Sequence, residues 1–157
     1  MIRGRKQKPG DIVRIDIGNN RHFHAVALTH PLFAFLDEEL EAEELVDNLR
    51  GRAVIFKLWV IDNAVKSGRW PVVGKLDPAT VSALDGATFF RQDLISGKIT
   101  ACDTITNSES PLSFEEADRL ECAAVWSPEH VEDRLRDHLD GIPNQWWASM
   151  RPRKPIL

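Results

Sequence analysis

The chain is poor in several residue types that define particular protein classes. It has no tyrosine, and its only two cysteines among 157 residues, Cys102 and Cys122, lie in no Cys-x-x-Cys motif and beside no Cys/His cluster. Sparse, unclustered cysteines are typical of a reducing compartment, where free thiols usually pack as small apolar residues. We therefore expect two unpaired cysteines in a cytoplasmic protein.

Long hydrophobic runs are also missing. Apolar runs such as 25–28, 32–36 and 53–56 are far shorter than the roughly 20 residues that a membrane-spanning helix requires. After the basic residues 1–8, an alternating polar and apolar pattern begins where a signal peptide would have its continuous apolar region. We expect neither secretion nor a membrane partner.

The sequence lacks the motifs of the common nucleotide-binding and hydrolytic sites. It contains no Gly-x-Gly-x-x-Gly, no phosphate-binding loop and no Gly-x-Ser-x-Gly elbow. His130 and His138 share a predicted helix with several acids, but the His-Glu-x-x-His spacing of zinc proteases is absent. We interpret these histidines as part of a solvated helix face, and we predict no catalytic residues.

Charge is distributed unevenly along the chain. The net charge is -4, yet residues 1–8 and 151–157 carry seven of the 20 cations and no anion. Residues 9–150 therefore hold 13 cations against 24 anions. An acidic body repels nucleic-acid phosphates and favours a basic partner, so no nucleic acid is expected.

The acids are densest between Asp37 and Asp47, where seven of eleven residues are acidic. Asp37 is a good N-cap and Gly51 suits the position after a helix, which predicts a helix over 37–50. Such a charged helix is either an ordinary solubilising face or a surface that steers a basic protein. We take the second interpretation, with four residues as candidate partner contacts: Glu38, Glu41, Glu44 and Asp47.

The alternation of apolar and polar residues predicts an N-terminal half rich in strands. A hairpin is expected around Gly18-Asn19-Asn20, because these residues tolerate the positive φ of tight turns. Pro71 confines its strand to a sheet edge, and Asp77-Pro78 predicts a capped helix that ends before Gly86. Strands are predicted at 11–17, 21–28, 32–36, 53–61, 70–75, 89–93 and 99–106, with a polar loop at 104–111.

Together these elements predict an α+β fold: a β-rich antiparallel sheet, or a partly open barrel, with two or three helices packed on it. One of the helices is C-terminal, since Ser127 caps it, Pro128 begins it and Gly141 ends it. Ion pairs such as Glu132 with Arg136 are expected on its outer face. We expect a single domain over residues 1–157, with flexible basic ends at 1–8 and 151–157.

Five tryptophans are many for a chain of this length. Trp59 and Trp126 lie in apolar strand contexts and are predicted core residues. Trp146 and Trp147 are adjacent, so both cannot face inward if the chain is locally extended. Because tryptophan is enriched in binding hot spots, both are candidate partner-binding residues.

His22 and His24 are the one arrangement that suggests a metal. Residues two apart on a strand face the same side of the sheet, as two ligands of a divalent metal such as zinc require. The sequence identifies no third ligand, and two sheet histidines without a metal are the plainer interpretation.

Three blocks of the sequence resemble a known family. Pro9-Gly10-Asp11-Ile12, the run from Gly68 to Gly74 (Gly-Arg-Trp-Pro-Val-Val-Gly) and Phe89-Phe90-Arg91-Gln92-Asp93 resemble the immunity protein 26 family of bacterial polymorphic toxin systems. A last block would be the run from Ala124 to Glu132. The second strand departs from the family pattern, because His22-Phe23-His24 stands where relatives tend to have small and aromatic residues.

The resemblance implies a protein that binds and neutralises a cognate toxin without catalysis, and it brings no catalytic residues. The same grouping looks to include a phosphotriesterase-like protein, which implies an alternative: a metal-assisted phosphotriester hydrolase whose metal ligands would include His22 and His24. We expect the immunity function, with a cognate and basic toxin as partner.

Overall fold

A computed structural model describes residues 5–37 and 54–154. In chain order, the elements in these ranges are β1 (Asp11–Gly18), β2 (Arg21–Ala27), β3 (Leu32–Leu36), β4 (Val54–Val60), α1 (Asn63–Lys66), β5 (Val72–Lys75), α2 (Pro78–Leu84), β6 (Thr88–Gln92), β7 (Ile99–Asp103), β8 (Glu109–Pro111), α3 (Phe114–Ala117), β9 (Glu121–Cys122), β10 (Val125–Trp126), α4 (Pro128–Asp140) and α5 (Gln145–Ser149). The predicted helix over 37–50 lies outside the described residues, apart from Asp37.

The strands form two sheets, and the larger one is not closed into a barrel. Its order is β10-β4-β3-β2-β1-β5, and that of the smaller sheet is β8-β7-β6-β9. Neighbours are antiparallel, except that the short strands β10 and β9 pair in parallel with β4 and β6. With five helices in the described ranges, the α+β class is confirmed.

The hairpin turn, the edge strand and the helix cap predicted in the N-terminal half are confirmed. Asn19 and Asn20 have φ of 56° and 59° and connect β1 to β2, as the two central residues of a type I′ turn do. β5 lies at the edge of the larger sheet, and the Asp77 side chain accepts the Thr80 N–H to cap α2. The strand predicted deepest in the sheet, β4, is instead second from the edge, since only two-residue β10 lies outside it.

The larger sheet is buried on both faces, which explains its near-continuous apolar strands. One face packs on α4 through residues such as Phe23, Trp70 and Leu135. The opposite face packs on α2 and on the smaller sheet, with Val26 and Phe89 in the same cluster. All five residues of β3 are buried between these two layers.

A third, smaller cluster joins the smaller sheet to α3, with Phe90, Ile99 and Ala117 at its centre. Cys102 and Cys122 lie on the strands that flank β6, and both are free. The prediction of two unpaired thiols is confirmed.

Three short helices and the short strands β8, β9 and β10 escaped the sequence analysis. Helices α1, α3 and α5 have four or five residues, too few to show a helical period. The polar stretch predicted as the loop 104–111 contains the exposed edge strand β8 at its end. None of the helices in the described ranges is long and apolar enough to cross a bilayer.

Helix α4 begins and ends as predicted, with Ser127 accepting the His130 N–H and Gly141 in the left-handed conformation at φ 67°. One detail of its charge pattern was wrong. The ion pair of Glu132 with Arg136 on the outer face does not form, because Glu132 is buried and Arg136 pairs with Asp133. The Glu132 carboxylate instead accepts two hydrogen bonds from Arg69, at 2.7 and 2.8 Å, and one from the buried Trp70 indole at 3.0 Å.

We expect the substitution Glu132→Ala to lower the free energy of unfolding by about 2–3 kcal/mol, because it leaves the buried Trp70 N–H without an acceptor and Arg69 without its partner. Glu129→Ala is the matched control, since Glu129 contacts the same Arg69 at 3.4 Å but is exposed, and exposed pairs contribute roughly 0–1 kcal/mol. Urea denaturation of both variants measures the difference, and equal losses would contradict the assignment.

Candidate partner-binding face

The short helix α5 follows α4 and is capped and attached to it by Asn144. Pro143 prevents α4 from continuing, and the Asn144 side-chain oxygen accepts the N–H groups of Trp146 and Trp147, at 3.1 and 3.0 Å. The amide nitrogen of Asn144 donates to Asp137 of α4 at 2.9 Å. One buried side chain therefore caps α5 and attaches it to the preceding helix.

Trp146 is held in a fixed orientation on α4. Its ring stacks on His130 with centroids 3.7 Å apart and an angle of 15° between the planes. The indole N–H donates to the Asp133 carboxylate at 3.1 Å. The ring is half-buried, so one part of it packs on the body while the other part faces solvent.

An apolar groove of about 300 Å³ lies beside this ring; we call it the tryptophan groove. Ile61 and Val125, which are 42% and 56% exposed, line it together with Met150. The groove therefore presents aliphatic side chains and one oriented tryptophan to solvent.

Trp147 lies on another side of α5, because neighbouring residues of a helix point about 100° apart. It contacts the Arg151 guanidinium, 4.5 Å from the ring centroid, and borders a separate pocket with Phe56 and Arg134. Both tryptophans are thus half-buried. The sequence analysis considered a locally extended chain, in which both could not face inward, but the segment is helical.

A second groove, of about 410 Å³, adjoins the first one, since Ser149 and Met150 line both. Its opposite wall is the loop between β6 and β7, whose Leu94 and Ile95 are each 99% exposed. Sequence reasoning missed this pair. The signal was present as two aliphatic residues directly before the turn residues Ser96-Gly97, where polar residues are usual.

Arg151 and Arg153, which we expected in a flexible basic end, contact the body in the structure. Arg151 donates to the Asp118 carbonyl at 2.7 Å and to the Leu120 carbonyl at 3.1 Å. The backbone N–H of Arg153 donates to the Gln92 side chain at 2.8 Å. These contacts place the residues after α5 along the second groove.

The acidic candidates Glu38, Glu41, Glu44 and Asp47 lie outside the described residues. Their run begins with Asp37, whose carboxylate lies 3.1 Å from the His138 ring nitrogen. His138 is in the last turn of α4, and His130 is in the first. The start of the acidic run and the tryptophan groove therefore lie at opposite ends of one helix.

His22 and His24 face the same side of the larger sheet, as their spacing predicts, with ring centroids 5.2 Å apart. His24 is buried and His22 is half-buried. Within residues 5–37 and 54–154, no three His, Cys, Asp or Glu side chains form a group that could hold a metal ion. The metal-assisted hydrolase stays an untested alternative.

Comparison with protein families places this chain among the immunity proteins. The family model that it matches is described as Immunity protein 26, and the match covers residues 8–99, more than half of the chain. The chain therefore belongs to this family, as the sequence blocks around Gly10, Trp70 and Phe89 predicted. No curated protein and no solved structure gives a significant match.

The contact between Trp146 and Asp133 generates a prediction about pH. The indole hydrogen bond and then the Arg136 hydrogen bond lower the pKa of Asp133. A lowered pKa contributes stability above the ordinary value near pH 4, and this contribution is lost as the pH falls through the folded-state value. Asp133→Asn should cost about 0.5–1.5 kcal/mol at pH 7 and progressively less below about pH 4.

Urea denaturation of the parent chain and Asp133→Asn at both pH values provides the measurement. Trp146→Phe is the matched control, because it keeps an aromatic ring at this position and removes the N–H donor together with part of the indole. The two substitutions should be less than additive, since both weaken the charge-assisted hydrogen bond between these residues. A cost that stays constant down to pH 3 would refute this account.

Proposed function

We propose that this immunity protein binds a cognate toxin and neutralises it by protein–protein contact centred on the tryptophan groove. The observation that supports this most strongly is the fixed Trp146 ring beside the exposed Ile61 and Val125. Tryptophan is enriched among residues that dominate binding energy. Because His130 and Asp133 already hold the ring, binding would cost little further ordering of this side chain.

Charge supports a basic partner. Residues 9–150 carry 24 anions against 13 cations, and opposite charge raises the rate of encounter between two proteins. In this proposal, the acidic run 37–47 attracts a basic toxin and the tryptophan groove provides apolar contacts. The toxin would be met in the cytoplasm, where free thiols such as Cys102 and Cys122 persist.

The first test is whether the chain protects cells from the toxin encoded by the gene next to its own, and whether the two proteins form a complex. We expect co-expression to restore growth and a pull-down to recover both proteins. Failure of both experiments would refute the immunity proposal for that toxin.

The second test asks whether the tryptophan groove forms the contact. Trp146→Ala and Val125→Asp should each raise the Kd of the complex about 30-fold or more, as expected for loss of a hot-spot contact. Val125 is exposed, so its substitution leaves the core intact and separates binding from folding. Ile142→Ala, at an equally exposed position outside the groove, should leave the Kd unchanged. The same Kd in all three variants would exclude this groove.

The third test concerns the acidic run. Reversing the charge at Glu41, Glu44 and Asp47 should slow association with the toxin, and the effect should be largest at low salt because salt screens exposed charges. The control reverses three exposed acids on other elements: Asp16, Glu115 and Asp140. Stopped-flow association rates over a salt series measure the effect, and an unchanged rate would exclude the steering role.

A further inference from the structure

The loop Asp93–Lys98 between β6 and β7 carries two adjacent aliphatic side chains that contact almost nothing else. Leu94 and Ile95 are 99% exposed, whereas the other large hydrophobic residues with notable exposure, such as Val72 and Ile105, are 39–56% exposed. Exposing such side chains to water is unfavourable unless a partner covers them. The pair is therefore a candidate contact with an apolar phase.

The loop is built rigidly around its one carboxylate. The Asp93 side chain accepts the N–H groups of Ile95 and Ser96, at 2.8 and 2.7 Å. The Asp93 backbone exchanges further bonds with Gly97 and Lys98, each at 2.9 Å. These four hydrogen bonds hold the loop in one conformation, so presenting Leu94 and Ile95 to a partner requires little further ordering.

The base of the loop is fastened to the C-terminal segment. Gln92 accepts the Arg153 N–H at 2.8 Å and donates to the Arg153 carbonyl at 2.7 Å. This reciprocal pair keeps the exposed Arg153 and Lys154 next to the loop, and both line the same groove as Leu94 and Ile95.

Three cations lie near the aliphatic pair: Lys98 in the loop itself, and Arg153 and Lys154 beside it in the groove. They outnumber the one acid of the loop, Asp93, which is exposed but whose carboxylate accepts two N–H groups of the loop. Although the whole chain has a net charge of -4, charges within about 10 Å dominate at physiological salt. This local charge would repel a second copy of the same surface, and it is complementary to an anionic one.

The geometry points to a docking site for the surface of a bilayer that contains anionic phospholipid, with Leu94 and Ile95 inserted among the acyl chains and Lys98, Arg153 and Lys154 at the headgroups. Insertion of apolar side chains and electrostatic attraction to anionic lipid both contribute to the strength of surface binding. The expectation of no membrane partner rested on the absence of a spanning segment, which surface binding does not need.

The test is flotation of the intact protein with vesicles of phosphatidylcholine alone or with about 30% phosphatidylglycerol, the anionic lipid. We expect binding to the anionic vesicles only, and less binding when salt rises from about 50 mM to about 500 mM. The double substitution Leu94→Ser/Ile95→Ser should reduce the partition coefficient about tenfold or more, because it removes the apolar contribution.

The matched control is Ile105→Ser/Ile142→Ser, which removes two exposed aliphatic side chains away from the loop and should bind as the parent chain does. Absence of binding by the parent chain at low salt, or equal binding by the Leu94/Ile95 variant, would overturn the proposal. If that variant instead weakens only toxin binding, the loop belongs to the toxin interface and the membrane proposal is equally refuted. Toxin protection itself is independent of this result.

Discussion

The arrangement of this protein depends on one buried carboxylate. Glu132 projects from α4 toward the segment between α1 and β5, where Arg69 and Trp70 donate three hydrogen bonds to it. A buried charge is costly unless its hydrogen-bonding capacity is used, so α4 has one rotation and one depth at which Glu132 is satisfied. Since Val131 and Leu135 must also be buried, apolar packing and the ion pair select the same position of the helix.

The orientation of Trp146 in the tryptophan groove follows from the position of α4. Its first turn supplies His130 and its next residues supply Asp133, and together they orient Trp146. Its C-terminal end provides Asp137, to which Asn144 attaches α5. The segment after α5 then continues past Arg151 to the loop of the smaller sheet. The two neighbouring grooves are thus both bordered by the C-terminal end of α5.

The sequence predicted those parts of the fold whose causes are local. The Asn19-Asn20 turn and the caps of α2 and α4 each depend on a few adjacent residues, and they were predicted correctly. Glu132 was misassigned, because its partner Arg69 lies 63 residues away in the chain and the neighbouring Arg136 offered a plausible ion pair. Trp70 was predicted to begin an edge strand, but it lies just before β5 and is completely buried. Its hydrogen-bond partner Glu132 is 62 residues away in the chain, so no local pattern indicates this burial.

The candidate face was foreseen only in part. Trp146 could be selected from composition, since tryptophan is common at interfaces. Its orientation could not be predicted from the sequence. Stacking on His130 sets this orientation, together with a cap at Asn144 in a helix that is too short to show a period. Leu94 and Ile95 lie between the strands predicted at 89–93 and 99–106, directly before Ser96-Gly97, and only the fold shows that both side chains are exposed.

The pairing of Trp70 with Glu132 also links the two parts of this chain on either side of residue 99. The family match ends at residue 99, yet the acceptor for the most deeply buried tryptophan of the matched region comes from residue 132. The backbone of Arg153 likewise completes the hydrogen bonds of Gln92. A chimaera that joined two relatives near residue 99 would separate these partners, so the C-terminal third can be exchanged between family members only if the new segment supplies a carboxylate at the same place.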